Sequence, residues 1–299
     1  MNKTKLKGNL LLLLTAMIWG ISFIAQSKGV ETIPPATFNG VRCILGALVL
    51  LPVIFLRNKT GKSTPCDKKD LLTGGVICGA FLCVATMLQT IGMLYTSPGK
   101  SGFITALYMV IIPIVGIFLG KKTRPIVWIS VCIATGGLYL MCMDASLSMN
   151  RGDFLTLLCA FVFTGHILAI DHFSPKVDGV KLAALQFFVC GVLCLIYTFA
   201  FEPPTLSPIL NGWLSIGYSG IFSCGVAYTL QIIGQKYTDP TSASILMSLE
   251  SVFAALSTTL LIALGWNLTG GALTIREISG CVLMFTAIIL VQLPERNLT

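Results

Sequence analysis

The chain has 299 residues, 55% of them hydrophobic and only 11% charged, and its 20 Lys and Arg outnumber its 12 Asp and Glu for a net charge of +8. Soluble domains carry about 25% charged and roughly 45–50% apolar residues, so this composition excludes a soluble globule. The positive balance invites a nucleic-acid reading, which the placement of the charges removes.

Residues 8–27 carry no charge, and about 20 apolar residues coiled as a helix cross the roughly 30 Å hydrocarbon core of a bilayer. The same criterion predicts ten helices, near 8–27, 35–56, 71–94, 98–120, 125–143, 153–171, 180–201, 212–235, 240–264 and 276–293. Lys3, Lys5 and Lys7 precede the first run as in a signal segment, but the run is longer than a signal core and lacks an A-x-A site, so it is expected to be retained. The apolar runs are continuous, without the period-two alternation of a membrane barrel. The expected fold class is all-α integral membrane.

Ten crossings put both termini on one face. With that face cytoplasmic, its segments hold 15 of the Lys and Arg and the opposite segments hold 4, while Arg42 lies within the second helix. The positive-inside bias therefore expects both termini in the cytoplasm of a cell-membrane protein, and no nucleic-acid partner is needed. Eleven cysteines include no C-x-x-C pair, and all but Cys66 fall within predicted helices. They read as apolar fillers, with no metal or other cofactor expected. Gly75/Gly79 and Gly116/Gly120 have the four-residue spacing that permits close helix approach.

The stretch QTIGMLYTSP at 89–98 returns as QIIGQKYTDP at 231–240, identical at six of ten positions with a constant offset of 142. Five helices separate the copies, and an odd number of crossings reverses direction. The halves 1–145 and 150–299 are therefore expected to be inverted five-helix repeats, the arrangement common in secondary transporters. A duplication kept only for folding is the plainer alternative. Within the repeat, Gly92 and Gly234 suit close packing or a turn, and Pro98 and Pro240 suit the first position of the next helix.

These features carry a resemblance. Ten helices in two halves, AMIWGISFI in helix 1, Arg42 in helix 2, the Y-T-x-P junctions and LMSLESVFAAL in helix 9 resemble the EamA branch of the drug/metabolite transporter superfamily. The resemblance implies that helices 1–4 and 6–9 surround a central cavity while 5 and 10 pack peripherally. It also implies transport of small metabolites, often amino acids or their relatives. Family members often carry an acid just after helices 4 and 9; this chain has Lys121 and Trp266 there.

Ionisable groups at membrane depth are costly and are functional candidates by default. Glu250 lies about 15 Å into helix 9 and Arg42 about 10 Å into helix 2, at 1.5 Å per residue, so the two stand at similar depth and a pairing is open to them. Glu250 reads as a proton-coupling carboxylate, an anchor for a substrate amine, or a locked structural acid. Arg42 reads as a clamp for a substrate carboxylate or phosphate, or as a tie between helices. Trp19 sits mid-helix, where its indole lines a cavity or packs in the core. Tyr108 falls on Glu250 at the repeat offset. His166 is a proton relay or a hydrogen-bonded core residue, and Tyr228 is a further polar candidate. Buried amides such as Gln26, Asn39, Gln89, Gln186 and Gln231 should each meet a cavity, water or another helix.

Both Gly-Lys-Ser tripeptides lack the upstream glycine of a phosphate-binding loop, and no catalytic signature is present. The sequence thus reads as a secondary active transporter, not an enzyme, expected to export a small polar metabolite such as an amino acid, with proton coupling open. Alternatives are a nucleotide-sugar, sugar-phosphate or lipophilic-cation transporter of the same superfamily, or a non-transporting membrane sensor or assembly protein. Substrate identity and oligomeric state stay open.

Overall fold

The computed structural model describes residues 3–96, 98–120, 123–142, 149–202, 205–265 and 273–293, and these form only helices and their connections. Lys121, Lys122 and Trp266, where the family often has acids, lie outside the described residues. Among the described residues, nine helical segments are long and apolar enough to cross a membrane, and Pro125–Met141 is a shorter apolar one.

In chain order the elements are α1 (Lys3–Val30), α2 (Pro35–Lys59), α3 (Lys68–Gly92), α4 (Pro98–Ala106), α5 (Tyr108–Phe118), α6 (Pro125–Cys142), α7 (Arg151–Phe173), α8 (Gly179–Phe201), the short α9 (Leu206–Asn211), α10 (Trp213–Gly217), a π-helical segment (Tyr218–Tyr228), α11 (Thr229–Gln235), α12 (Pro240–Met247), α13 (Glu250–Ala263) and α14 (Ile275–Gln292). Local chemistry sets many ends. Asp178 and Asp239 cap α8 and α12 through backbone N–H groups, and Asn150 with Asp153 forms a capping box on α7. Gly61, Gly120 and Gly265 follow α2, α5 and α13 with φ of +67°, +74° and +87°, the left-handed C-terminal stop that glycine adopts without steric cost. For Gly120 this corrects the expected packing role, because nothing lies within 4 Å of where its Cβ would be.

Gly75 and Gly79 do pack closely. Cβ atoms there would lie 2.3 Å from the Leu185 side chain and 2.8 Å from the Gln186 carbonyl, so α3 presses its glycine face onto α8. The α6 and α14 pair is held similarly, by Gly137 and Gly280 against each other's carbonyls at 2.8 and 2.5 Å. Only 22% of the most apolar window of α14 is buried, against 61% for Trp213–Gln235. Helix 10 of the sequence reading is thus peripheral.

The two copies of the repeated decapeptide make matching contacts. At the end of α11, Gly234 and Tyr237 meet Gly8 on α1, whose Cβ would sit 3.0 Å from the Gly234 carbonyl and 2.8 Å from Tyr237 Cβ. At the end of α3, Gly92 and Tyr95 meet Gly152 on α7 at 2.6 and 2.9 Å by the same measure. Thr238 Oγ1 donates to Asn9 Oδ1 at 3.1 Å, and Thr96 Oγ1 to Asp153 Oδ1 at 2.6 Å. Lys7 lies over the Tyr237 ring at 5.9 Å, and Arg151 over Tyr95 at 5.2 Å. Gly8 stands near the start of α1 and Gly152 near the start of α7, with the rest of α1 and α2–α6 between them.

Candidate functional site

Spans 4 and 9 are broken near their middles. At Leu107 the backbone ladder changes from four-residue to three-residue bonds (Leu107 N to Ile104 O, 3.2 Å; Val110 N to Leu107 O, 2.9 Å), and it does so again at Leu249 (Leu249 N to Leu246 O and Ser251 N to Ser248 O, both 3.3 Å). The second half-helix therefore begins at Tyr108 in one span and at Glu250 in the other. A helix N-terminus carries partial positive charge, which favours a carboxylate there. Ser244 and Ser248 return hydrogen bonds to Thr241 O and Ile245 O, a competition with the helical ladder that bends helices. The continuous apolar runs at 98–120 and 240–264 hid both breaks, and this serine-rich stretch was the one signal.

Span 8 departs from α-helix as well. Its π-helical turns at 218–228 pack their small residues on α2, where a Cβ at Gly46 would sit 2.6 Å from Cys224 and one at Gly220 would sit 2.7 Å from Leu45. Wide turns of this kind gather at functional sites. Here they set Ser223 and Tyr228 on a cavity wall.

That cavity leaves about 40 Å³ for the centres of water-sized molecules and is lined by Trp19, Arg42, Tyr108, His166, Tyr228 and Glu250 together. These six come from spans 1, 2, 4, 6, 8 and 9. Phe23, Gln26, Gln89, Thr105, Phe163, Ser223, Gln231 and Met247 also face it; Phe23, Thr105, Ser223 and Met247 had no sequence signal, because their side chains are ordinary in a membrane helix.

Tyr108 Oη donates to Glu250 Oε1 at 3.4 Å. Arg42 does not reach Glu250: among the described residues the ion pairs are Lys28–Glu31 and Arg57–Asp178. Arg42 Nη1 instead donates to Gln26 Oε1 at 2.8 Å, Gln26 Nε2 donates to Ser22 Oγ at 3.2 Å, and the guanidinium lies 5.5 Å from the Phe38 ring centre. His166 Nε2 pairs with Gln186 Oε1 at 3.1 Å. Tyr228 is the aromatic hub, 4.6 Å from Trp19, 6.0 Å from His166 and 5.6 Å from Phe187 by ring centres. Asn39, by contrast, ties α2 to α3 through Thr86 O and Thr90 Oγ1.

Four cavity residues keep buried polar atoms with no protein partner: Trp19 Nε1, Arg42 Nε, His166 Nδ1 and Gln231 Oε1. Unsatisfied polar groups are costly inside hydrocarbon, so a polar solute or water in the cavity gains by meeting them. The arrangement offers an acid and a guanidinium held apart, two free donors (Trp19 Nε1 and Arg42 Nε), two free acceptors (His166 Nδ1, whose ring gives its Nε2 proton to Gln186, and Gln231 Oε1), and aromatic walls.

The EamA-like transporter family model matches residues 6–143 and again 150–293. The chain belongs to the EamA-like transporter family. An uncharacterized transporter of Archaeoglobus fulgidus is 31% identical to this EamA-like chain, covering 97% of it and 87% of the relative. The uncharacterized inner membrane transporter YedA of Escherichia coli K12 is 25% identical, covering 93% of this chain and 88% of its own, and the uncharacterized transporter YoaV of Bacillus subtilis is 22% identical, covering 90% of each. A solved crystal structure shares the fold at a TM-score of 0.75, with 19% identity over 95% of this chain and 96% of the other. The protein is thus a multi-pass membrane transporter of the EamA type, with a small-molecule substrate and the bilayer as its surroundings.

Proposed function

We propose that this EamA-like transporter exports a small zwitterion, an amino acid or close relative, by alternating access of two inverted five-helix halves. The observation that carries this reading is the unpaired placement of Glu250 and Arg42 on one cavity. An ammonium group binds the carboxylate and a carboxylate binds the planar guanidinium fork, so a zwitterion satisfies both charges at once. Trp19 Nε1, His166 Nδ1 and Gln231 Oε1 supply further polar contacts.

Halves of 1–145 and 150–299 are supported by the two family matches, by the paired breaks at Leu107 and Leu249 and by the matching joints. In this reading the joints lie at opposite ends of the bundle and each is a gate, and releasing one while keeping the other opens the cavity to one side. Glu250 carries the coupled proton, and Tyr108 positions it. A cavity lined by polar groups at Glu250 favours transport over a sealed sensor or assembly role.

A second substrate class has its own support. Trp19, Phe23, Phe163 and Tyr228 surround the acid with aromatic faces, which suit an organic cation. Arg42 separates the two readings, since a zwitterion uses it and a cation is repelled by it.

The test is a thermal-shift screen of the purified protein across pH against amino acids, amines, organic cations, sugar phosphates and nucleotide sugars, followed by counterflow in proteoliposomes with any binder. A ligand of the folded state raises the melting temperature with concentration. Amino acids should do so in wild type and fail in Glu250→Gln. An equal response of wild type and Glu250→Gln at every pH would remove Glu250 from the site. Binding without counterflow would refute transport.

A further inference from the structure

Five of the eleven cysteines, scattered in sequence, converge in space. Cys83 of α3 and Cys190 and Cys194 of α8 have sulfurs within 4.8 Å of one another, Cys83 and Cys194 being 3.6 Å apart. Cys43 of α2 lies 3.5 Å from Cys190, and Cys224 of the π-helical segment is in hydrogen-bonding reach of Cys43. The sulfurs therefore follow one another from Cys224 through Cys43 and Cys190 to Cys194 and the partly buried Cys83. Isolated buried cysteines are ordinary fillers. Thiols of four helical segments in contact one after another, three of them within 4.8 Å, is a different arrangement.

We propose that Cys83, Cys190 and Cys194 form a three-sulfur site for the soft monovalent cation copper(I), flanked by Cys43 and Cys224. Soft thiolates select copper(I) and zinc. Structural zinc closes a tetrahedron of four ligands, and Cys43 does not stand within 4.8 Å of all three sulfurs. Three ligands suit copper(I). At a metal–sulfur bond of about 2.3 Å a trigonal site sets its sulfurs about 4 Å apart, within the spread seen here.

On binding, copper(I) displaces two thiol protons and takes the third sulfur as a thiol, with no change of oxidation state. The unit keeps one negative charge. The Arg42 guanidinium, buried beside Cys43 in the sequence of α2, is the positive charge that balances it, as a buried charge requires. The site is independent of the proposed solute and its carrier cycle.

The experiment titrates the full-length protein in detergent with copper(I) under anaerobic reducing conditions, against a chromophoric copper(I) chelator. Wild type should withdraw about one equivalent, Cys190→Ser none, and Cys132→Ser and Glu250→Gln as much as wild type. Full retention by Cys190→Ser, or none by wild type, overturns the site. If Cys190→Ser does not fold, alkylation of the wild type followed by mass spectrometry decides: copper(I) must slow modification of Cys83, Cys190 and Cys194 relative to Cys132. Uniform or absent protection overturns the proposal, as does formation of Cys43–Cys190 or Cys83–Cys194 disulfides without retained metal.

Discussion

Tyr108 Oη and Glu250 Oε1 meet at 3.4 Å across 142 residues, the interval that separates the two copies of the repeated decapeptide. In the proposed two-half architecture, residues at the same place in the halves touch only where the halves face each other. The contact is longer than the roughly 2.7–2.8 Å preferred by O–H···O bonds, so opening it costs little. In the proposed transport cycle it breaks when a substrate amine or a proton takes over Glu250.

Tyr108→Phe removes that donor and keeps the ring. The expected result is a change in ligand affinity of tenfold or less, about 1 kcal/mol, with a shifted pH profile, while Glu250→Gln abolishes both binding and its pH dependence. Isothermal titration at several pH values separates the two. Equal profiles for wild type and Tyr108→Phe would deny the tyrosine its positioning role.

Arg42 should discriminate among ligands. Arg42→Gln is expected to weaken binding of amino acids by at least about tenfold, or 1.4 kcal/mol, and to leave amines lacking a carboxylate unchanged or tighter. Arg42→Lys should not restore the amino acids, because an ammonium group lacks the planar fork. Competition binding with matched amine and amino acid pairs gives the answer, and an equal loss for both members would place Arg42 outside recognition.

The two joints tolerate no added atoms. Gly8→Val and Gly152→Val are each expected to lower stability by about 1–3 kcal/mol through overpacking and to reduce transport. Gly136→Ala, with nothing within 4 Å of its Cβ position, should be near neutral. Thermal unfolding and proteoliposome flux report both effects. Disulfides linking paired cysteines placed across one joint should stop cycling reversibly; continued cycling with either joint locked would show that it is not a gate.

Outside the membrane spans, Asp178 clamps a connecting segment. Its carboxylate accepts from Thr64 N at 2.9 Å, Val180 N at 3.0 Å and Arg57 Nη2 at 3.2 Å. Burial pushes its pKa up, but the backbone donors and Arg57 outweigh this and hold it below the ordinary carboxylate value. A depressed folded-state pKa means stability that is present above the unfolded carboxylate range, near about 3.9, and lost as pH falls through the folded value. Asp178→Asn should therefore lower the melting temperature at neutral pH, and the gap to wild type should close as pH falls below about 4. A gap that stays constant with pH would assign the loss to packing alone.

The helical spans were legible because hydrocarbon offers backbone polar groups no partners, so uncharged length alone enforces a helix; residues 35–56 and 180–201 anticipate α2 and α8 to within a few residues. Unusual residue types at depth also pointed to the cavity, since Glu250, Arg42 and His166 are too costly in lipid to lie just anywhere. Their partners were not legible. That Arg42 meets Gln26 instead of Glu250, that spans 4 and 9 break where they do, and that three cysteines of α3 and α8 gather within 4.8 Å all depend on how each helix is rotated against its neighbours. Glycine contacts such as Gly75 on Leu185 and Gly46 on Cys224 set those rotations. Such contacts pair residues far apart in the chain, so one-dimensional periodicity does not contain them, and only the packed tertiary structure decides which side chains face the cavity.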